Sequence, residues 1–168
     1  MSHKKESIQL FIVKPLAIGL QDFFNRYGRT TIVGSIRREE ETVRDIDMVV
    51  CPYKDETAGS LIQKLPKEEN KVITSGRIMA ISVYKSNGYE IPINIWVTSE
   101  ELEGACIFAF TGPKNYTIGY NAKAKRLGMK LNRKGLIDQQ GKLIAGKTEE
   151  GIYKALGKEW KHPSLRGK

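Results

Sequence analysis

Apolar residues near the start of the chain recur at helical intervals from Ile8 to Phe24. This spacing predicts one or two amphipathic helices, and Gly28 ends the pattern. The apolar runs that follow are short and rich in β-branched residues, which is typical of strands. The predicted elements are strands at 30–33, 45–50, 71–74, 78–84 and 90–97, a helix over 56–64 and a polar loop over 67–70. Asn87-Gly88 predicts a hairpin turn between the last two strands, because this pair tolerates positive φ.

The pattern changes beyond residue 98. An apolar stretch at 105–110 is followed by the turn residues 111–113 and by a predicted helix over 115–127 that Gly128 ends. Three short strands at 129–132, 135–137 and 142–144 predict a small antiparallel sheet. Thr148 is a suitable N-cap for a final helix that Gly157 ends. We therefore expect an α+β protein with a mixed-sheet domain over 1–104 and a small α+β domain over 105–168.

The length of 168 residues suits one domain or two small ones, and 40% hydrophobic with 28% charged residues is a globular composition. No apolar run approaches the roughly 18 residues of a membrane span, and the N-terminal residues do not resemble a secretory signal. Cys51 and Cys106 are too few for a disulfide scaffold or a zinc site. We expect a soluble monomer without a membrane partner in a reducing compartment: cytoplasm, nucleus or, for a viral protein, the virion.

The positive charge is concentrated at the end of the chain. Residues 1–112 carry 14 basic and 15 acidic side chains, whereas residues 113–168 carry 14 basic and 4 acidic ones. Such a basic segment favours contact with a polyanion. A lysine-rich surface that serves only solubility is the alternative.

Two carboxylates are candidates for chemistry. Asp45 and Asp47 are separated by one residue, so a strand would place both on one face with Cα atoms about 6.6 Å apart. Their repulsion is relieved when a divalent cation lies between them, and Mg²⁺ prefers such oxygen ligands. Alone, the pattern also fits two solvated carboxylates at the end of a strand.

A candidate phosphate-binding segment precedes the aspartates. Gly34-Ser35 follows a predicted strand, and Arg37-Arg38 comes directly after Ile36. A glycine permits close approach of the backbone to a phosphate, a serine donates a hydroxyl hydrogen bond, and an arginine fork matches phosphate oxygens. An isolated Gly-Ser pair is commonly just a turn, but its combination with the arginines and the acidic pair is much more specific.

Together these motifs resemble the signature of family X DNA polymerases, within the nucleotidyltransferase superfamily. The likeness spans roughly residues 30–166 and continues through Phe110-Thr111-Gly112-Pro113 and the segments 131–136 and 147–153. The first motifs alone would also fit antitoxin-like or drug-modifying nucleotidyltransferases, whereas the later ones are similar to the family X thumb. The resemblance implies a nucleotidyltransferase palm with a mixed sheet and flanking helices over 1–104, then a small α+β thumb over 105–168. The short chain is most like the minimal viral-type members, which lack lyase and fingers domains.

The resemblance also implies roles for individual residues. Asp45 and Asp47 would bind two Mg²⁺ ions, for which Mn²⁺ can substitute, and the third metal-binding and catalytic position of the family corresponds to Asn94. The implied nucleotide-binding residues are Gly34, Ser35, Arg38, Arg44, Phe110, Thr111, Gly112 and Lys114. Plausible DNA phosphate contacts are Lys123, Lys125, Arg126, Lys130, Arg133 and Lys134.

Asn94 departs from the family, which has an aspartate there. An asparagine is nearly the same shape, but it carries no charge and cannot accept a proton as a carboxylate does. Two origins stand open: a natural residue, or a substitution introduced to trap a complex, which the otherwise intact motifs favour. A displaced alignment would leave Asn94 an ordinary strand residue. Ala109, Thr117 and Asn121 also differ from larger relatives, at positions for sugar selection and template contact.

The function implied is addition of deoxynucleotides from deoxynucleoside triphosphates to a primer 3′-OH on primer–template or gapped DNA. This would be short-gap synthesis, as in base excision repair, impaired by Asn94. The alternative from another class is a catalytically inactive DNA-binding or end-bridging module. A small-molecule or protein nucleotidyltransferase is a third candidate, which the basic segment disfavours because such acceptors need no long basic surface.

Overall fold

The computed structural model describes residues 7–167, so the N-terminal residues considered for a secretory signal lie largely outside the described part. Within 7–167, no helix is long and apolar enough to cross a membrane. The chain divides into two compact units, Met1–Val97 and Thr98–Lys168. This division falls seven residues before the end of the predicted first domain at residue 104.

The first unit is a mixed five-stranded sheet with helices. Its elements are β1 Ile8–Gln9, α1 Leu10–Phe24, β2 Gly28–Val33, α2 Gly34–Arg37, β3 Thr42–Val43, β4 Ile46–Pro52, α3 Ala58–Ile62, β5 Asn70–Ser75, β6 Met79–Ser86 and β7 Tyr89–Val97. The strand order is β2-β4-β7-β6-β5, and β1 pairs separately with β3. Only β4 and β7 run parallel in the large sheet.

Period-two alternation sets the two faces of this sheet. Ile46, Met48 and Ile93 are fully buried in a core to which α1 and α3 also contribute. Successive side chains of a strand point to opposite faces of the sheet. Asp47, between Ile46 and Met48, and Asn94, directly after Ile93, therefore lie on the other face. Apolar burial on one face thus leaves polar residues together on the second face.

The second unit is a small helical layer on a three-stranded antiparallel sheet. Its elements are α4 Glu103–Thr111, α5 Lys114–Arg126, β8 Lys130–Asn132, β9 Gly135–Ile137, β10 Leu143–Ala145 and α6 Glu149–Ala155. Phe108, Leu136 and Tyr153 lie in its core. The Thr148 hydroxyl accepts a hydrogen bond from the Gly151 amide at 3.0 Å, which confirms the predicted N-cap. The α+β class is confirmed.

The predicted elements of the first unit are confirmed with some corrections. The second predicted strand begins one residue late, so Asp45 precedes β4 instead of lying on it. Residues 34–37, for which the sequence predicts no element, form the short helix α2. The strand β3 was not predicted, because two residues are too few to show an alternating pattern. Asn70, predicted as loop, begins β5.

Candidate active site

The parallel pairing of β4 with β7 places Asp47 beside Asn94. The two residues are register partners, and Asn94 Nδ2 donates a hydrogen bond to Asp47 Oδ1 at 2.7 Å. Both side chains are partly buried. The position that the sequence resemblance assigns to the third acidic residue is therefore next to the second aspartate, and here it supplies an amide.

Gly34 closes the other side of the Asp47 carboxylate. Its neighbour Val33 pairs with Asp47 across β2 and β4. Gly34 has φ +68°, a conformation that disfavours other residues, and a side chain there would collide with Asp47 Oδ2. The sequence predicts that this glycine lets the backbone approach a phosphate closely. In the structure its small size also makes room for the aspartate.

A cavity of about 420 Å³ in the first unit brings together most of the predicted phosphate-binding residues. It is lined by Ser7, Ser35, Arg38, Glu40, Thr42, Val43, Arg44 and Asp45. The cavity contains a hydroxyl from α2, two guanidinium groups and the first aspartate. These groups can bind an anionic phosphate chain and a cation that accompanies it, because charge-assisted hydrogen bonds to phosphate are strong.

Both arginines of this cavity are held in place. Arg38 Nε lies 3.2 Å from Glu40 Oε1 in an ion pair. Arg44 Nε donates to Ser7 Oγ at 3.2 Å. Sequence reasoning missed Ser7, Glu40 and Thr42, and the unpredicted strand pair of β1 with β3 is what brings this part of the chain to the cavity.

Two carboxylates, those of Asp45 and Asp47, are the candidate metal ligands of the site. Within residues 7–167, no group of three or more histidine, cysteine, aspartate or glutamate side chains could hold a metal ion. With Asn94 Nδ2 turned toward Asp47, the amide Oδ1 is the oxygen that this residue can offer a cation. Two carboxylates and one amide oxygen are hard ligands of the kind Mg²⁺ accepts. The donor set therefore fits a divalent cation, with one negative charge fewer than three aspartates would supply.

In the second unit, a cavity of about 360 Å³ lies where α4, α5 and β8 meet. It is lined by Phe108, Ala109, Phe110, Thr117, Asn121, Leu131, Asn132 and Arg133. Of the predicted nucleotide-binding residues of this unit, only Phe110 lines it. Thr111 is fully buried, Gly112 is buried and Lys114 is exposed outside the cavity.

The predicted DNA-binding residues fall into separate groups. Arg133 lines the cavity beside Phe110, whereas Lys123 and Arg126 line a different one on α5. Lys125 is exposed on α5 and Lys130 is exposed at the start of β8. Lys134 lies in the turn between β8 and β9, where its amide donates to Asn132 Oδ1 at 2.7 Å. Lys125, Lys130 and Lys134 line neither of these two cavities.

A buried ion pair in the second unit was not predicted. Arg166 Nη1 lies 2.8 Å from Glu149 Oε1, and both side chains are almost completely buried. The guanidinium lies 5.6 to 6.0 Å from the ring centres of four aromatic side chains: Tyr153, Tyr116, Phe108 and Trp160. Nothing in the local sequence pattern indicates that residue 166 packs against residue 149.

Burial also shifts the pKa of several groups in this unit. It raises the pKa of Tyr116 to about 12 and raises the pKa values of Tyr120 and Tyr153. It raises the pKa of the Cys106 thiol to about 11. These four side chains are therefore neutral at physiological pH.

Most of this chain is similar to known proteins. The family described as DNA polymerase beta thumb matches residues 106–167. Repair DNA polymerase X of African swine fever virus is 27% identical over 140 residues, which cover 80% of this chain and 79% of the viral protein. The DNA polymerase/3'-5' exonuclease PolX of Bacillus subtilis is 28% identical over 134 residues, which cover 79% of this chain but only 23% of that longer protein.

The mixed sheet, the polar face around Asp47 and the small second unit define an α+β nucleotidyltransferase fold with a thumb. Within that class, the chain resembles the family X DNA polymerases, because residues 106–167 match the DNA polymerase beta thumb family and 80% of the chain is similar to the viral repair DNA polymerase X. The resemblance predicted from the sequence motifs is confirmed.

Proposed function

We propose that this chain is a template-directed DNA polymerase that adds deoxynucleotides to a primer 3′-OH in short-gap repair synthesis. The observation that carries the proposal is the cavity where Ser35, Arg38, Arg44 and Asp45 meet, beside the Asp47–Asn94 pair. The names of the viral and bacterial relatives support the same reaction. The DNA and deoxynucleoside triphosphate partners follow from it.

The residues of the first unit act mainly by positioning and electrostatics. The Ser35 hydroxyl and the guanidinium groups of Arg38 and Arg44 would hold the triphosphate, and Gly34 leaves room for the carboxylate beside it. In the second unit, the resemblance implies nucleotide contacts for Phe110, Thr111, Gly112 and Lys114, of which Phe110 lines a cavity. Holding a charged substrate in one orientation lowers the barrier without covalent chemistry in the protein.

Asp45, Asp47 and the Asn94 amide oxygen would hold Mg²⁺, with Mn²⁺ as a substitute. When bound, such ions lower the pKa of the attacking hydroxyl and neutralise the charge of the phosphates. Asn94 cannot take the primer proton, because an amide is not a base at neutral pH. We therefore expect that this chain binds its substrates well and extends primers slowly.

The test is primer extension on gapped DNA with Mg²⁺ or Mn²⁺, using the chain and its Asn94→Asp variant. We expect Asn94→Asp to raise extension by orders of magnitude while nucleotide affinity changes far less, because the missing carboxylate acts mainly in the transition state. Asp45→Ala or Asp47→Ala in that variant should abolish extension without unfolding it. Absence of extension by Asn94→Asp at saturating DNA would contradict the polymerase proposal.

One observation favours a second candidate. Asp47 Oδ1 accepts a hydrogen bond from Asn94 Nδ2, and a bound cation would contact this same carboxylate oxygen. The two side chains therefore have a hydrogen-bond partner in each other without a metal ion. A chain with such a site could serve as a catalytically inactive module that binds DNA or bridges DNA ends. Tight binding of gapped DNA, with no extension by the parent chain or by Asn94→Asp, would support this candidate.

A further inference from the structure

A cavity beside α5 has no role in the proposed function. This cavity, here called the α5 groove, has a volume of about 380 Å³. It is lined by Asn115, Tyr116, Gly119, Tyr120, Lys123, Arg126 and Lys158. Three of these seven residues are cationic and none is acidic. The α5 groove therefore favours an anionic occupant.

The hydroxyl groups of the two groove tyrosines are engaged in contacts within the second unit. The Tyr116 hydroxyl lies 2.9 Å from that of the fully buried Tyr153 and donates to the Tyr120 hydroxyl at 3.4 Å. The polar ends are thus occupied within the unit. Neutral aromatic rings beside cationic side chains are the combination with which proteins bind single strands, because every base has a π-face that can stack.

Gly119 opens the wall of the α5 groove. Within a helix, glycine is less favourable than alanine by about 1 kcal/mol. A Cβ at Gly119 would meet nothing within 4 Å, so internal packing does not require a glycine there. The missing side chain leaves space along α5 beside the tyrosine rings.

Stabilisation of a helix end explains only part of the positive charge. Lys123 and Arg126 lie in the last turn of α5, where cations interact favourably with the helix dipole. Lys158 lies outside α5, beyond the end of α6. Its presence on the same cavity is not explained by the helix end.

We infer that the α5 groove binds one nucleotide of a single DNA strand, with the base against Tyr116 and Tyr120 and the phosphates near Lys123, Arg126 and Lys158. This goes beyond the proposed function, because Lys158, Gly119 and the tyrosines have no part in nucleotide addition. Lys123 and Arg126, which the sequence resemblance assigns to DNA phosphates, would contact an unpaired strand as well as a duplex.

The test is fluorescence anisotropy with labelled oligothymidylate of about ten nucleotides, long enough for one such site. Lys158→Glu removes a cation of the α5 groove, and Gly119→Leu fills it. The matched control is Lys142→Glu, which makes the same charge change at an exposed residue of the same unit that does not line the groove. The same oligomer with abasic sites measures the contribution of the bases.

We expect Lys158→Glu and Gly119→Leu each to weaken binding about fivefold or more, and abasic substitution to do the same, while Lys142→Glu has a much smaller effect. Gly119→Leu should at the same time keep or raise the melting temperature, which separates a filled groove from a misfolded unit. Equal losses for Lys158→Glu and Lys142→Glu, unchanged binding by Gly119→Leu, or equal binding of the abasic oligomer would overturn the inference. Competition by free dTTP as strong as by the oligomer would assign a mononucleotide site instead. Primer extension by Asn94→Asp is measured separately, so failure of this inference leaves the polymerase proposal untouched.

Discussion

Asn94 and Asp47 face each other across the parallel strands β7 and β4, and Asn94 Nδ2 donates to Asp47 Oδ1 at 2.7 Å. This bond joins residues 47 positions apart in the sequence. The sequence resemblance predicts a carboxylate at residue 94, and this chain has an amide there instead. The electrostatics of the site consequently depend on residue 94.

Asn94→Asp should make the fold depend on a divalent cation. The substitution replaces a hydrogen bond to a carboxylate by two facing carboxylates, which we expect to cost about 2 kcal/mol at neutral pH without metal. Mg²⁺ should restore the melting temperature of the variant by a larger step than it changes that of the parent chain. Thermal unfolding with and without Mg²⁺ measures this, and equal responses of both proteins would contradict it.

Gly34→Ala should be more harmful than the same change at another glycine with positive φ. The left-handed conformation costs an alanine about 1 kcal/mol or more, and at Gly34 a clash with Asp47 Oδ2 is added. Gly88→Ala is the control, because Gly88 has φ +79° but nothing within 4 Å of an added Cβ. Denaturant unfolding should show a clearly larger loss for Gly34→Ala. Equal losses would mean that the aspartate moves aside freely.

Breaking the buried pair of Glu149 with Arg166 should destabilise the second unit strongly. Arg166→Met leaves a buried carboxylate without its cation, a change that typically costs about 3–5 kcal/mol. Lys85→Met is the matched control, since Lys85 and Glu90 form an exposed pair at 3.8 Å and such pairs contribute about 0–1 kcal/mol. Calorimetric unfolding compares the two. Similarly small shifts of the unfolding temperature in both variants would contradict this prediction. They would mean that the Glu149 carboxylate is readily hydrated or protonated once Arg166 is removed.

The second unit should lose stability in alkaline solution. Burial raises the pKa of Cys106 from 9.0 to about 11 and that of Tyr116 from 10.0 to about 12. The unfolded chain therefore releases these protons first, so the free energy of unfolding is maintained below pH 9 and falls as the pH rises toward 12. Cys106→Ala should flatten this fall between pH 9 and 11. Tyr53→Phe, at a residue that is 63% exposed, is the control and should leave the profile unchanged.

DNA affinity should depend steeply on salt. If the basic segment 113–168 neutralises about five phosphates, the log–log slope for duplex binding should be about −4 to −5. Charge reversal of Lys123, Lys125 and Arg126 should flatten the slope and weaken all sequences alike. Reversal of Lys14, exposed on α1, should change little, as should reversal of Lys4 and Lys5, which lie outside the described residues. A salt series of anisotropy titrations measures this, and a slope near zero would place DNA binding elsewhere.

The sequence by itself determined most of the local structure of this protein. Asn87 and Gly88 have φ values of 50° and 79°, and Ser86 pairs with Tyr89, as the hairpin prediction requires. Thr148 caps α6 as expected. These features depend on neighbours in the chain, where residue type restricts φ, ψ and hydrogen bonding directly. The motif from Gly34 to Asp47 likewise indicated the class of site.

Only the tertiary structure decided which distant groups meet. Alternation along a strand shows which face a side chain occupies but not which strand lies beside it, so the contact of Asp47 with Asn94 required the parallel pairing of β4 and β7. The packing of Gly34 against Asp47 and the pairing of Glu149 with Arg166 arise in the same way. Such contacts depend on the packing of whole elements, and no local periodicity reports them.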